Sequence, residues 1–232
     1  MLENIKLIAF DGDDTLWYNE AVYNRAFDIA INIANPHITD DSKNKIFINF
    51  NRRLATNVQS IGFGYKTYIL TLISFLVENF NISTSKVNLI ISDLTLVFQK
   101  PVTLYPSVES TIKQLHSQYP LIVITKGETF EQTKKIESSN LCAFFSNIFI
   151  VGDKNEDVYK KILTQYNILP NNFLMVGNSF YNDIQPVVNI GGYAIYVNNA
   201  TNTYIEQDPL NIDLHHSNIT YIRDFNDIIK LL

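Results

Sequence analysis

IKLIAFDGDDTL, residues 5–16, joins a short apolar run to an acidic turn. Ile5–Phe10 reads as a buried strand, since a run this short that ends in a glycine-containing turn suits the interior of a sheet. The turn Asp11-Gly-Asp-Asp-Thr15 would deliver Asp11, Asp13 and Thr15 at the carboxyl end of that strand. Open parallel sheets take their ligands at that edge. The residues that follow each later strand are therefore the ones to inspect.

Outward from the turn the texture changes. Between Tyr18 and about Gln99 apolar residues recur at helical spacing, as in Ala26, Ile29, Ala30 and Ile33, or Ile69, Leu72, Ile73 and Leu76. This predicts about four helices and no strand, punctuated by Pro36 and by Gly62-Phe-Gly64. After Pro101 the pattern alternates. Helices are expected over Ser107–Gln118, Phe130–Ser138 and Val158–Tyr166, with a poorer one over Phe180–Ile190 interrupted by Pro186. Strands are expected over Leu121–Thr125, Asn147–Val151, Phe173–Val176 and Tyr193–Val197, and a closing helix over Asp224–Leu232. Strands separated by single helices give βαβ units and a parallel sheet. The expected architecture is α/β, a Rossmann-like parallel sheet core from residues 1–17 and 101–232, with an all-helical insertion over 18–100.

The predicted strand ends carry chemistry. Thr125 and Lys126 follow the second strand, Lys154 the third, and Asn178 and Asp183 the fourth. Any one of these alone reads more readily as a helix cap or a solvated loop residue. Several together at one sheet edge point to a site.

These residues also carry a family resemblance. Phe10-Asp-Gly-Asp-Asp-Thr-Leu16 resembles the first motif of the haloacid dehalogenase superfamily, a hydrophobic strand followed by Asp-x-Asp-x-Thr. Ile124-Thr-Lys-Gly127 resembles the second motif, Lys154 the lysine of the third, and Val176-Gly-Asn-Ser-Phe-Tyr-Asn-Asp-Ile184 the fourth. The resemblance implies a magnesium-dependent phosphatase that forms an aspartyl-phosphate. In that reading Asp11 is nucleophile and metal ligand. Asp13 ligates through its backbone carbonyl while its side chain serves as general acid and then base. Thr125 bonds phosphoryl oxygens, Lys154 holds nucleophile and phosphate together, and Asp183 completes the metal shell with Asn178. Lys126 and Gly127 fall on the phosphate side of the second motif. A phosphomutase shares the Asp-x-Asp pair; a 2-haloacid dehalogenase typically lacks the second aspartate; a non-catalytic binding module would keep the fold without the chemistry.

Two positions depart from the pattern. The fourth motif usually opens Gly-Asp and here reads Gly177-Asn178, which removes one negative charge from the metal site. Lys126 stands where many relatives have Asn, and reads equally as a second phosphate contact or a surface lysine. Lys160 and Lys161, at helical spacing, read as an exposed face and leave Lys154 as the motif lysine. The helical insertion corresponds to the helical cap of the family, with Gly62–Lys66 either a substrate-selecting loop tipped by Lys66 or a turn between helices. Trp17 reads as packing in the hinge, Arg52-Arg53 as a solvated face, and Cys142 as core. His37, His116 and the pair His215-His216 show no metal-site spacing.

Composition narrows the rest. Of 232 residues 46% are hydrophobic and 18% charged, which suits a globular core. The longest apolar runs are far short of a membrane span, and the N-terminus lacks the pattern of a signal peptide. A net charge of −5 disfavours nucleic acid or an anionic membrane as a partner. The single cysteine excludes an internal disulfide and fits the cytoplasm. The expected partner is a small phosphorylated molecule.

Overall fold

The computed structural model of the protein describes Leu2, residues 4–197 and residues 216–232. These form two compact units: Met1–Tyr18 with Val102–Leu232, and Asn19–Pro101. The first is built on a sheet of six parallel strands, β1 (Leu7–Phe10), β2 (Leu121–Lys126), β3 (Asn147–Val151), β4 (Phe173–Gly177), β5 (Tyr193–Val197) and β6 (Ile219–Ile222), in the order β3-β2-β1-β4-β5-β6. From β1 the chain moves outward through β2 and β3, then crosses back to β4 on the other side. The strand order therefore reverses at β1, which pairs with Val123 on one side and Val176 on the other through Phe10. Such a reversal opens a crevice at the carboxyl ends of the strands.

The second unit holds α1 (Glu20–Ala34), α2 (Asp40–Ile61), α3 (Tyr65–Phe80) and α4 (Thr84–Phe98), and no strand among its described residues. Thr39 and Ser83 cap the starts of α2 and α4 by accepting from the amides of Ser42 and Lys86. Gly62, with φ of 100°, closes α2, and Gly64, with φ of 132°, precedes α3. Two residues in that region of φ make a sharp reversal that only glycine adopts freely. The core is aromatic and aliphatic: Phe27, Phe50, Tyr68, Leu72, Leu76, Ile90 and Leu94. The buried stripe of α1 is Ala26, Phe27, Ala30, Ile31 and Ala34, so Phe27 and Ile31 take the places expected of Ile29 and Ile33. Arg53 is not simply solvated; it makes a two-pronged ion pair with Glu78 that ties α2 to α3.

Helices cover both faces of the sheet. Alternate residues of β1 serve opposite cores. Ile8 and Phe10 pack with Val108, Ile112 and Leu115 of α5 (Val108–His116), with Ile136 of α6 (Thr129–Ser138) and with Ile228 of a closing turn. Leu7 and Ala9 pack with Tyr159, Ile162 and Leu163 of α7 (Glu156–Tyr166) and with Val187 of α8 (Gln185–Asn189). The expected closing helix is short, a 3-10 turn Phe225–Asp227 and α9 (Ile228–Leu231). One strand is additional to the sequence reading: β6 extends the sheet beside β5 at its edge. The expected helix Phe180–Ile190 begins instead as a π turn, Phe180–Ile184, before α8. Cys142 is exposed, against expectation, because Leu141 and Phe145 take the core positions of that segment. No helix among the described residues is long and apolar enough to cross a membrane.

Candidate active site

β1 ends at Phe10, and the next amide, that of Asp11, donates to the carbonyl of Val176 at 2.9 Å, which extends the sheet by one residue. The chain then turns tightly. The amides of Thr15 and Leu16 donate to the carbonyl of Gly12, and Asp14 adopts φ of 58°. Gly12 is required by packing rather than by dihedral angle, since a Cβ there would lie 2.6 Å from the Trp17 ring. The turn sends the side chains of Asp11 and Asp13 into two different settings.

Asp11 faces β4 and the β3–α7 loop. Its Oδ2 accepts from the Thr15 hydroxyl at 2.9 Å, and its Oδ1 from Lys154 Nζ at 2.5 Å. Lys154 also donates to Asp183 Oδ1 at 2.7 Å, so one ammonium bridges two buried carboxylates. The Thr15 hydroxyl lies 3.1 Å from Asn178 Oδ1 as well. Local chemistry explains each placement. Asn155 caps α7 by accepting from the Val158 amide at 3.1 Å, which ends the loop immediately after Lys154. Asp183 sits in the π turn, a local distortion common at functional sites, and accepts from the Ser179 amide at 3.0 Å. It can approach only because position 177 is glycine; a Cβ there would lie 2.3 Å from the Asp183 carboxylate carbon.

The Asp11 carboxyl is raised to about 7: burial pushes it up, Lys154 offsets part of that, and the charges of Asp183 and Asp13 add to the rise. For Lys154 burial works in the downward direction, but Asp11 and Asp183 outweigh it and hold the ammonium charged. Two carboxylates thus share one cation in a dry setting, and a further positive charge would be well received. Among the described residues no group of three His, Cys, Asp or Glu side chains stands ready for a metal. A cation here would draw on Asp11 and Asp183 together with amide and carbonyl oxygens, all hard donors of the kind magnesium takes.

Asp13 points elsewhere. Its Oδ1 accepts from Trp17 Nε1 at 2.7 Å and from Lys135 Nζ at 3.1 Å. Its Oδ2 accepts from Gln132 Nε2 at 2.9 Å and again from Lys135 at 2.9 Å. Gln132 reaches Thr125 too, whose hydroxyl lies 3.3 Å from Gln132 Oε1. Gln132 and Lys135 are three residues apart on α6, hence on one face. Sequence reasoning passed over both, because only the fold shows that Gln132 is buried and Lys135 half-buried on a helix whose other polar residues are mostly exposed. Trp17 is buried in the core of the α/β unit and bonds to Asp13, a more specific role than packing.

The remaining candidates are placed as follows. Lys126 is half-buried, with Nζ 3.1 Å from Asn182 Oδ1. Gly127, with φ of 153°, stands against Gln132 and donates its amide to Val151. Lys66 belongs to the helical unit, exposed in the first turn of α3 beside the Tyr65 ring. Lys160 pairs with Glu156 on an exposed face. His215 lies outside the described residues; Nδ1 of His216 accepts from the Asn218 amide.

Comparison with known proteins gives this geometry a family. A glyceraldehyde 3-phosphate phosphatase from Methanothermobacter thermautotrophicus is 29% identical over 135 residues, 55% of this chain and 58% of that protein. The chain thus spans little more than half the length of that curated relative. A haloacid dehalogenase-like family hydrolase from Xanthomonas campestris has a crystal structure that superposes with a TM-score of 0.76 at 29% identity, covering 89% of this chain and 87% of that one. A haloacid dehalogenase-type hydrolase from Bacillus subtilis, bound to magnesium, shares the fold over 99% of both chains, with a TM-score of 0.70 at 18% identity. Residues 5–191 match the family described as haloacid dehalogenase-like hydrolases. The span takes in β1 with its acidic turn, the helical unit and the strand ends that precede Thr125, Lys154 and Asp183, so the chain is a member of the haloacid dehalogenase-like hydrolase family.

Proposed function

We propose that this protein is a magnesium-dependent phosphatase of a small phosphorylated metabolite, working through an aspartyl-phosphate on Asp11. The observation that carries this reading is the setting of Asp11, a carboxylate buried at the reversal point of the sheet, oriented by Thr15 and Lys154 and paired with a second buried carboxylate, Asp183. Held in this way, a carboxylate can attack phosphorus if its charge and that of the phosphate are offset.

In the first step an oxygen of Asp11 bonds to phosphorus while the bond to the leaving oxygen breaks, and Asp13 gives that oxygen a proton. In the second, Asp13 takes a proton from a water whose oxygen bonds to phosphorus. The bond to Asp11 breaks, inorganic phosphate leaves, and the carboxylate is restored. Thr125, Lys126 and the backbone of Gly127 would meet the phosphoryl oxygens, and Lys154 would offset the charge that builds between nucleophile and phosphate. Asp11, Asp183, Asn178 and the backbone carbonyl of Asp13 would hold the cation. Magnesium bound there supplies the neutralisation that lets two anions approach. With Asn178 in place of a carboxylate, its hold rests on fewer charges.

The helical insertion, read from the sequence as residues 18–100 and forming the unit Asn19–Pro101, is proposed as the cap that selects substrate, with Lys66 as the candidate selecting side chain. The single cysteine suits a reducing compartment, and the cytoplasm is the proposed location. The test is a screen of phosphate release over phosphorylated metabolites, glyceraldehyde 3-phosphate among them, with chelator and with added magnesium. Chelator should stop release and magnesium should restore it. Chelator-indifferent turnover of a chlorinated acid would overturn the reading.

A further inference from the structure

We infer that Gln132, with Lys135 as its second anchor, is a positioning residue that fixes the Asp13 carboxylate beside the phosphate-binding hydroxyl of Thr125. The inference rests on the phosphatase reading and adds to it two residues that no strand end supplies.

The argument starts from what each group can do. Both oxygens of Asp13 accept here, Oδ2 from Lys135 as well as from the Gln132 amide, so the side of that amide facing Asp13 is its NH₂. Its oxygen is thereby turned to Thr125, and Thr125 must donate. The 2.9 Å and 3.3 Å contacts form one directed chain, Thr125 to Gln132 to Asp13, with no freedom to flip. Lys135 binds both oxygens of Asp13, at 3.1 and 2.9 Å, and Trp17 holds one of them from the other side. Lys135 is itself anchored by Glu131 at 2.9 Å.

Gln132 is only 3% exposed, and a buried amide that makes both its bonds is held in a single orientation. α6 is itself well anchored, because Glu128 caps it by accepting from the amides of Phe130 and Glu131. The position of Asp13 is thus set both by Trp17 of its own turn and by α6, a distant chain segment. Thr125 has one hydroxyl proton. When it turns to a phosphoryl oxygen, Gln132 Oε1 gives up that donor, so phosphate contact at Thr125 is felt at Asp13 through a single side chain.

Protonation of the leaving oxygen matters most when that oxygen would otherwise depart as an unstable alkoxide, and least when it departs as nitrophenolate. Loss of Asp13 positioning should therefore be selective. With kcat/KM, which reports the phosphoryl-transfer step, Gln132→Leu should lose at least about tenfold more on an alkyl phosphate than on 4-nitrophenyl phosphate, part of the usual worth of acid–base catalysis. Gln132→Glu keeps the size and polarity of the site but has no N–H for Asp13, so it should show the same selectivity should the leucine variant fold poorly. Lys135→Met should follow in the same direction, and Lys135→Arg should recover most of the loss. Equal losses on both esters, or no loss on either, would overturn the inference. Failure of the unsubstituted protein to release phosphate from either ester would instead overturn the phosphatase reading, and this inference with it.

Discussion

The two units treat their buried polar atoms in opposite ways. In the helical unit they are neutral, and backbone carbonyls serve most of them. Thr71 donates to the carbonyl of Thr67 one turn back at 2.7 Å, the Tyr68 hydroxyl donates to the carbonyl of Tyr23 at 2.9 Å, and the ion pairs, such as Lys45 with Asp41, lie on exposed faces. In the α/β unit the buried groups are charged and are served from afar. Lys154 meets Asp11 across 143 residues, and Gln132 meets Asp13 across 119. Removing a charge from water costs several kcal/mol unless a partner stands ready, so one unit carries a burden that the other avoids. Groups held this way are the candidates for chemistry. The helical unit is built for packing, and the sheet edge is built for charge.

The sharpest way to break that contrast is at Asp11. Asp11→Asn exchanges one oxygen for an amide of nearly equal size and should reduce phosphate release by several orders of magnitude, since it removes the attacking group. More than about a tenth of the original rate would refute the covalent role. Lys154→Met should act on stability as well as on rate. It leaves two adjacent buried carboxylates without their shared cation, and the cost should be about 3–5 kcal/mol, read as a shift in the denaturant midpoint. A midpoint unchanged from the parent would mean that the pair is not as dry as its geometry implies. The smallest effect should come from the other unit. Arg53→Ala removes an ion pair of similar geometry on an exposed surface, and its melting temperature should stay close to that of the parent, because water screens such pairs and competes for them. A loss equal to that of Lys154→Met would erase the distinction between the units.

What was legible in advance follows the same division. Asp11, Thr125, Lys154 and Asp183 stand at strand ends, where residue type and the preceding apolar run together betray position. Gln132 and Lys135 were not legible, because within a helix a polar residue signals solvent unless its burial is known. β6 escaped for a related reason. Ile219-Thr-Tyr-Ile222 is an edge strand with only its last residue fully buried, so it lacks the continuous apolar run of the inner strands. Cys142 misled because an apolar neighbourhood in sequence does not say which residue of a 3-10 turn faces inward.

By itself the sequence determined the alternation of strands and helices, the insertion after the first acidic turn and the residues ranged along the carboxyl edge of the sheet. These are properties of periodicity and local turn chemistry, which need no distant partner. Tertiary structure alone decided that the two carboxylates of one turn face different neighbours, Asp11 toward Lys154 and Asp13 toward α6. The reason is steric and electrostatic. Gly12 lets the Trp17 ring close against the turn, and each carboxylate then goes to the cation that the fold brings within reach, Lys154 after β3 for one and Lys135 on α6 for the other.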